Sequence, residues 1–188
     1  MRILKFTIAA AIATGSLCCH LSTFIDRPLV PAPVFGILHV ATMAIFITMI
    51  VSLQDHSRLQ PQSDQSGLFG SLRAANRQSR DFHARVLSLV PFGARLLCVA
   101  VFAYAGVNFG LFMLQVEGVT AQQDGQYYLH NHGVKIRDIT VAEARRHRCL
   151  VTRGYSGHWL LFSTLPAVYF YFVERRLRDS PAADSVTE

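Results

Sequence analysis

Apolar residues in this chain come in long blocks, and four of these blocks contain no charged residue. The blocks lie at about 6–25, 29–53, 96–116 and 156–173. A helix rises about 1.5 Å per residue, so about 20 apolar residues are enough to cross about 30 Å of hydrocarbon. We therefore predict four transmembrane helices. The fold class expected is an all-α membrane protein.

The connection between the first two blocks is very short and consists of Asp26, Arg27 and Pro28. Helices joined by so few residues must run antiparallel. We therefore predict an antiparallel bundle of four transmembrane helices, with residues 1–188 forming one polytopic membrane domain. The alternative for the first block is a cleaved signal peptide. Cleavage after the A-x-A sequence at 11–13 would leave an apolar core of about seven residues, so an uncleaved anchor is expected.

Two polar segments separate the blocks. The segment at 54–85 is rich in Ser, Gln and Arg, which predicts a basic loop. From Leu68 onward its apolar residues recur at helical spacing, as in a helix lying on a membrane surface. A disordered linker explains the same composition, and both interpretations remain open.

The second polar segment, at 117–155, contains the only turn-rich pattern in the chain. β-prone runs at 126–129 and 134–136 flank a turn that ends at Gly133, which predicts a small β-hairpin with positive φ at Gly133. Thr140 and Glu143 form a capping-box pattern that opens a short helix to about Leu150. A two-stranded hairpin of this size is marginal alone, so it must rest on the helix ends or on a partner.

Charge distribution gives the orientation. Ten basic residues fall on the side of the termini and seven on the side of the segment at 117–155. The positive-inside rule places both termini in the cytoplasm and that segment outside, as expected for a bacterial inner-membrane protein. The net charge of +6, with 51% hydrophobic and 16% charged residues, then reflects loops beside lipid headgroups rather than nucleic-acid binding.

Four histidines are candidates for a cofactor site. His20 and His158 fall near the outer ends of the first and fourth blocks, and His130 and His132 lie in the outer loop. Imidazole suits haem iron, copper and zinc, so a small metal- or haem-binding redox protein is the alternative function. The spacing matches no metal motif, and no cofactor is predicted. A thiol oxidoreductase is disfavoured further, because only Cys149 of the four cysteines falls outside the blocks.

The remaining candidates are interaction sites. Gly106 and Gly110 form a GxxxG pair with Asn108 between them, a spacing that lets a second helix approach closely. Arg145, Arg146 and Arg148 could contact lipid headgroups or an acidic partner.

The sequence contains no Ser/His/Asp pattern, phosphate-binding glycine loop or HExxH. The chain resembles small four-span bacterial membrane proteins in general, a likeness that assigns no functional residue. We expect a non-enzymatic accessory or interaction subunit. Its partners would be the bilayer and either another membrane protein or a second copy of the chain.

Overall fold

The protein is mostly helical, with one small sheet. The structure, a computed structural model, describes residues 2–25, 31–58 and 68–179. The predicted connection at 26–28, the middle of the basic loop and the tail after Asp179 lie outside these residues.

Three helices in the described ranges are long and apolar enough to cross a membrane, which indicates a membrane protein. They are α1 (Arg2–Ser22, extended by a 3-10 turn at Thr23–Ile25), α2 (Ala32–Arg58) and the helix at Phe92–Gln115. Helices of the length required are therefore confirmed at the first three predicted blocks. They contain few buried side chains, and most of their outward surface is apolar, as a lipid environment requires.

The basic loop is partly helical. A helix, α3 (Leu68–Leu89), precedes the third apolar helix, which we call α4 (Phe92–Gln115). Pro91, which separates them, lacks an N–H and cannot continue α3. Phe82 and Val90 are buried at the end of α3, which therefore packs against the bundle. The helical alternative for this segment is confirmed over Leu68–Leu89.

After α4 the chain forms a three-stranded antiparallel sheet, so the predicted hairpin was incomplete. The strands are β1 (Val119–Gln123), β2 (Gln126–Asn131) and β3 (Val134–Ile139), in the order β1-β2-β3. Asp124 and Gly125 have φ of 51° and 80°, and His132 and Gly133 have φ of 48° and 83°. Both turns therefore have two residues with positive φ, as two-residue hairpin turns require.

The sheet packs on the helix that follows it. Thr140 accepts a hydrogen bond from the backbone N–H of Glu143, and the Glu143 carboxylate accepts one from the backbone N–H of Thr140, so the predicted capping box is confirmed. Leu129 and Ile139 pack against Ala144, one turn into the helix. The first turns of this helix therefore provide a surface on which the sheet packs.

This helix, α5 (Val141–Val168), continues without a break past Leu150. A π-helical turn at Tyr169–Val173 and the short α6 (Glu174–Arg178) follow directly. The predicted short helix and separate fourth span are therefore parts of one element. Gly154 and Gly157 have low helix propensity, but they lie against Phe112 and Asn108 of α4, so tertiary packing holds the helix together there.

The other long helices surround α5. The contacts of α4 with α5, such as that of Phe112, show that these two helices run antiparallel. The contacts of α2 with α5, such as that of Trp159, show that these two helices run parallel. α5 is more polar than its neighbours, and its small residues Ser156, Gly157 and Ser163 are buried. A helix enclosed by protein can carry small polar residues that a lipid-facing helix cannot.

Trp159 and Tyr169 are buried inside the bundle. The main apolar core lies where the π-helical turn meets α1, α2 and the end of α3. Its buried members are Ala9, Ile45, Met49, Val90, Tyr169, Phe170 and Val173.

Candidate functional site

Polar side chains join α1 and α5 at both ends of their contact. α5 and the turn after it contain 20 residues without a formal charge between Arg153 and Glu174. At 1.5 Å per residue this length is about 30 Å, the thickness of a hydrocarbon core. Each of the two charged residues belongs to a cluster with residues of other helices. Both clusters contain buried polar side chains.

The first is the histidine cluster, formed by His20, Thr23, Tyr104, Arg153 and Ser156. His20 is buried, with Nδ1 2.8 Å from the Ser156 hydroxyl and Nε2 in contact with the Tyr104 hydroxyl. Ser156 also donates to the Arg153 carbonyl at 3.2 Å. One placement of protons satisfies every contact: Tyr104 donates to His20, His20 donates to Ser156, and Ser156 donates to the carbonyl.

Arg153 caps the C-terminal end of α1. Its Nε donates to Thr23 Oγ1 at 3.0 Å and its Nη2 to the Thr23 carbonyl at 2.9 Å. The guanidinium lies 4.1 Å from the centre of the Phe24 ring. A cation at a helix C-terminus satisfies carbonyls that have no partner within the helix. Asn108 of α4 also bonds to this cluster, because its Nδ2 donates to the Arg153 carbonyl at 2.9 Å.

The second is the glutamate cluster, formed by Lys5, Ser52, Tyr169, Glu174 and Arg178. Glu174 is fully buried, and its Oε1 accepts hydrogen bonds from Lys5 and Arg178, both at 2.8 Å. Ser52 lies 3.0 Å from the Tyr169 hydroxyl and 3.5 Å from Glu174 Oε1. Glu174 Oε2 has no partner among the described residues. A buried carboxylate needs such cations, because burying an isolated charge is very unfavourable.

The π-helical turn determines which way Glu174 points. Its extra residue per turn rotates everything after it by about 100° relative to a regular α-helix. The backbone N–H of Glu174 accordingly bonds to the Tyr169 carbonyl, five residues earlier. Pro166 lies one turn upstream and has no N–H to maintain regular helical bonding. The turn therefore brings Glu174 to Lys5 of α1.

A pocket of ≈ 500 Å³ lies beside the glutamate cluster. Its polar end carries charged and hydroxyl groups, and its other end is an apolar strip of α2. The lining residues are Lys5, Ile47, Thr48, Val51, Ser52, Asp55, His56 and Arg178.

No protein-family model, curated protein or solved structure matches this chain. Function is therefore inferred from the contacts of the chain's own residues.

The candidate histidines do not form one group. His158 Nδ1 donates to the Gly154 carbonyl at 2.9 Å, and its ring packs edge-on against Phe109 at 4.8 Å. His130 lies 6.0 Å from the Tyr128 ring on β2, and His132 occupies the turn before β3. Within residues 2–25, 31–58 and 68–179, no three His, Cys, Asp or Glu side chains are placed to hold a metal. Haem or metal binding therefore stays a prediction from sequence.

The cysteines do not form a disulfide within the described ranges. Cys149, the one cysteine outside the predicted apolar blocks, is buried in the half of α5 that carries the sheet. Cys18 is exposed on α1. The described cysteines therefore offer no paired, accessible thiols for a thiol oxidoreductase.

The GxxxG pair does not pack against any residue within the ranges that the structure describes. A Cβ placed on Gly106 or Gly110 would meet nothing within 4 Å, and both residues are exposed. The close approach of α4 and α5 occurs instead where Gly154 and Gly157 meet α4. Asn108 lies on that side and is buried.

The arginines predicted to contact headgroups or a partner lie on the first turns of α5. Arg145, Arg146 and Arg148 are exposed, and Arg148 lies 5.7 Å from the centre of the Tyr127 ring. Beside them, the backbone N–H of Thr140 and then Arg137 lower the pKa of Glu143 to about 2. Burial lowers the pKa of His147, whose Nδ1 lies 2.8 Å from the Thr120 hydroxyl.

Sequence reasoning missed the roles of Lys5, Tyr104, Arg153, Ser156 and Glu174. A signal was present for two of them. Lys5 and Glu174 each stand at the end of an uncharged block, and antiparallel blocks of equal length bring such ends together. No local pattern marks Tyr104 or Ser156, because their contacts depend on how the helices are rotated.

Proposed function

We propose that α5, together with the π-helical turn and α6, forms a fourth membrane span. The 20 uncharged residues between Arg153 and Glu174 support this, as do the polar clusters at both ends. The helix directions are those of a chain that crosses four times, because α1 and α4 run opposite to α5 and α2 runs with it. In this proposal both termini lie in the cytoplasm of a bacterium, and the sheet lies outside.

We further propose that the protein is a non-enzymatic interaction subunit that packs on a transmembrane helix of a partner through Gly106 and Gly110. The observation that carries this proposal is that both glycines are exposed, with open space above them. Glycine in a helix interior costs about 1 kcal/mol relative to alanine. Gly154 and Gly157 offset that cost by close packing inside the chain, whereas Gly106 and Gly110 do so only if another helix approaches.

The sheet and the arginines above it provide a second surface in this proposal. Arg145, Arg146 and Arg148 lie beyond the proposed outer boundary on a helix that the sheet holds in place. They can pair with acidic groups of the same partner.

The test is co-purification from native membranes after cross-linking. The variant G106I/G110I fills the open space, and A100I is the matched control because Ala100 is exposed on the same helix but lies roughly 80–120° around it from the two glycines. We expect the cross-linked complex to be lost in G106I/G110I and kept in A100I. A monomer with no cross-linked partner in the unmodified protein, or equal yields in both variants, would contradict the proposal.

A further inference from the structure

The pocket beside the glutamate cluster combines an apolar strip with a polar end. Ile47 and Val51 lie on one stripe of α2, and Ser52 and Asp55 continue the same stripe toward the helix end. Lys5 and Arg178 form the opposite wall at the polar end. A ligand that fits this arrangement has an apolar tail on the membrane side and a charged head at the membrane surface.

The charges at the polar end of the pocket indicate which charged groups the head of the ligand carries. Lys5 and Arg178 share the single carboxylate of Glu174, and they keep further N–H donors after bonding to it. The side chain of Arg178 is 56% exposed and that of Lys5 is 21% exposed, so both can reach a second anion. One positive charge therefore remains for a phosphate group.

Asp55 provides the opposite charge. Its carboxylate is exposed at the pocket and has no ion pair with any described residue. A purely anionic headgroup would leave this carboxylate uncompensated and close to another negative charge. A headgroup with a phosphate and an ammonium group neutralises both ends, and an ammonium with N–H groups can also hydrogen-bond to the carboxylate.

We infer that this pocket binds one phospholipid with a phosphoethanolamine headgroup. The phosphate contacts Lys5 and Arg178, the ammonium contacts Asp55, and an acyl chain lies along Ile47 and Val51. This site does not depend on the glycine face of α4. An experiment can therefore refute the proposed interaction through α4 without refuting the lipid site, and the reverse.

The test is native mass spectrometry of the full chain, purified in detergent and supplied with phosphatidylethanolamine, phosphatidylglycerol or phosphatidylcholine. We expect one phosphatidylethanolamine per chain, bound about tenfold more tightly than the other two lipids. In D55N this preference should fall to about twofold or less, because the ammonium loses its carboxylate. D55N changes an exposed group that makes no ion pair with a described residue, so the fold is kept.

A second pair of variants tests the apolar strip. V51W fills the pocket and should abolish retention of all three lipids. V40W is the control, because Val40 is also exposed on α2 but does not line the pocket (67% against 50% for Val51). Equal retention of the three lipids, or retention unchanged in V51W, would overturn the site. Binding of soluble phosphoethanolamine that is undiminished in V51W would also overturn the assignment to a lipid.

Discussion

Lys5 should contribute strongly to stability because it neutralises a fully buried carboxylate. Replacing it by methionine keeps an unbranched apolar side chain of similar size but removes the ammonium group, which also lies 5.3 Å from the centre of the Phe170 ring. Loss of one partner of a buried ion pair costs about 3–5 kcal/mol. We expect K5M to lower the free energy of unfolding by about 3 kcal/mol, the lower end, because Arg178 remains on the same oxygen.

The assay is denaturation in mild detergent, followed by far-UV circular dichroism and by the fluorescence of Trp159, the single tryptophan. R175M is the control, since Arg175 pairs with Asp179 on the surface and such pairs contribute about 0–1 kcal/mol. In the double variant K5M/E174M the buried charge is gone, and most of the loss should be recovered. If K5M is as mild as R175M, Glu174 is not held as a buried anion and the reasoning is refuted.

Three further predictions concern the helix contact, the sheet and the histidines. G157V forces a side chain into Asn108 and should destabilise the protein by about 1–3 kcal/mol, whereas G106V should leave the stability of the isolated chain nearly unchanged; the same denaturation assay measures both. The pKa of Glu143 is lowered to about 2, so its stabilising effect is present above its ordinary value of 4.5 and is lost as pH falls from there toward 2. The protection factors of amides in β3 and at the start of α5, which correct for the intrinsic pH dependence of exchange, should therefore fall over that range, and E143Q should remove this decrease; protection factors that stay constant with pH in the unmodified protein would contradict this. Addition of zinc, copper or haem should change neither the absorbance nor the thermal stability, and a stoichiometric spectral change would instead restore the metal- or haem-binding alternative.

The first three apolar helices could be predicted from sequence because their outward surfaces are apolar as well, so each appears in the sequence as a long uncharged block. The capping box at Thr140 and the turn at Gly133 could also be predicted, since each depends on a few adjacent residues. β1 could not, because Gln122 and Gln123 have little preference for strands and are held there by pairing with β2.

The continuity of α5 and the two polar clusters needed the tertiary structure. Gly154 and Gly157 have low helix propensity, which favours an interruption of the helix at these positions. Only the side chains of α4 that pack on them explain why the helix continues. Glu174 reads as the end of a membrane segment. Its burial depends on the rotation that the π-helical turn introduces and on Lys5, 169 residues away. Contacts of this range leave no periodic trace in the sequence.

Whether α5 crosses the membrane is tested most directly by labelling single cysteines in intact and permeabilised cells. In a background without the native cysteines, R146C lies at the sheet end of α5 and D179C follows α6, and both positions are exposed. With a membrane-impermeant maleimide, R146C should react in intact cells and D179C only after permeabilisation. Equal labelling of both positions in intact cells, or of neither, would show that they lie on one side and that no fourth span exists.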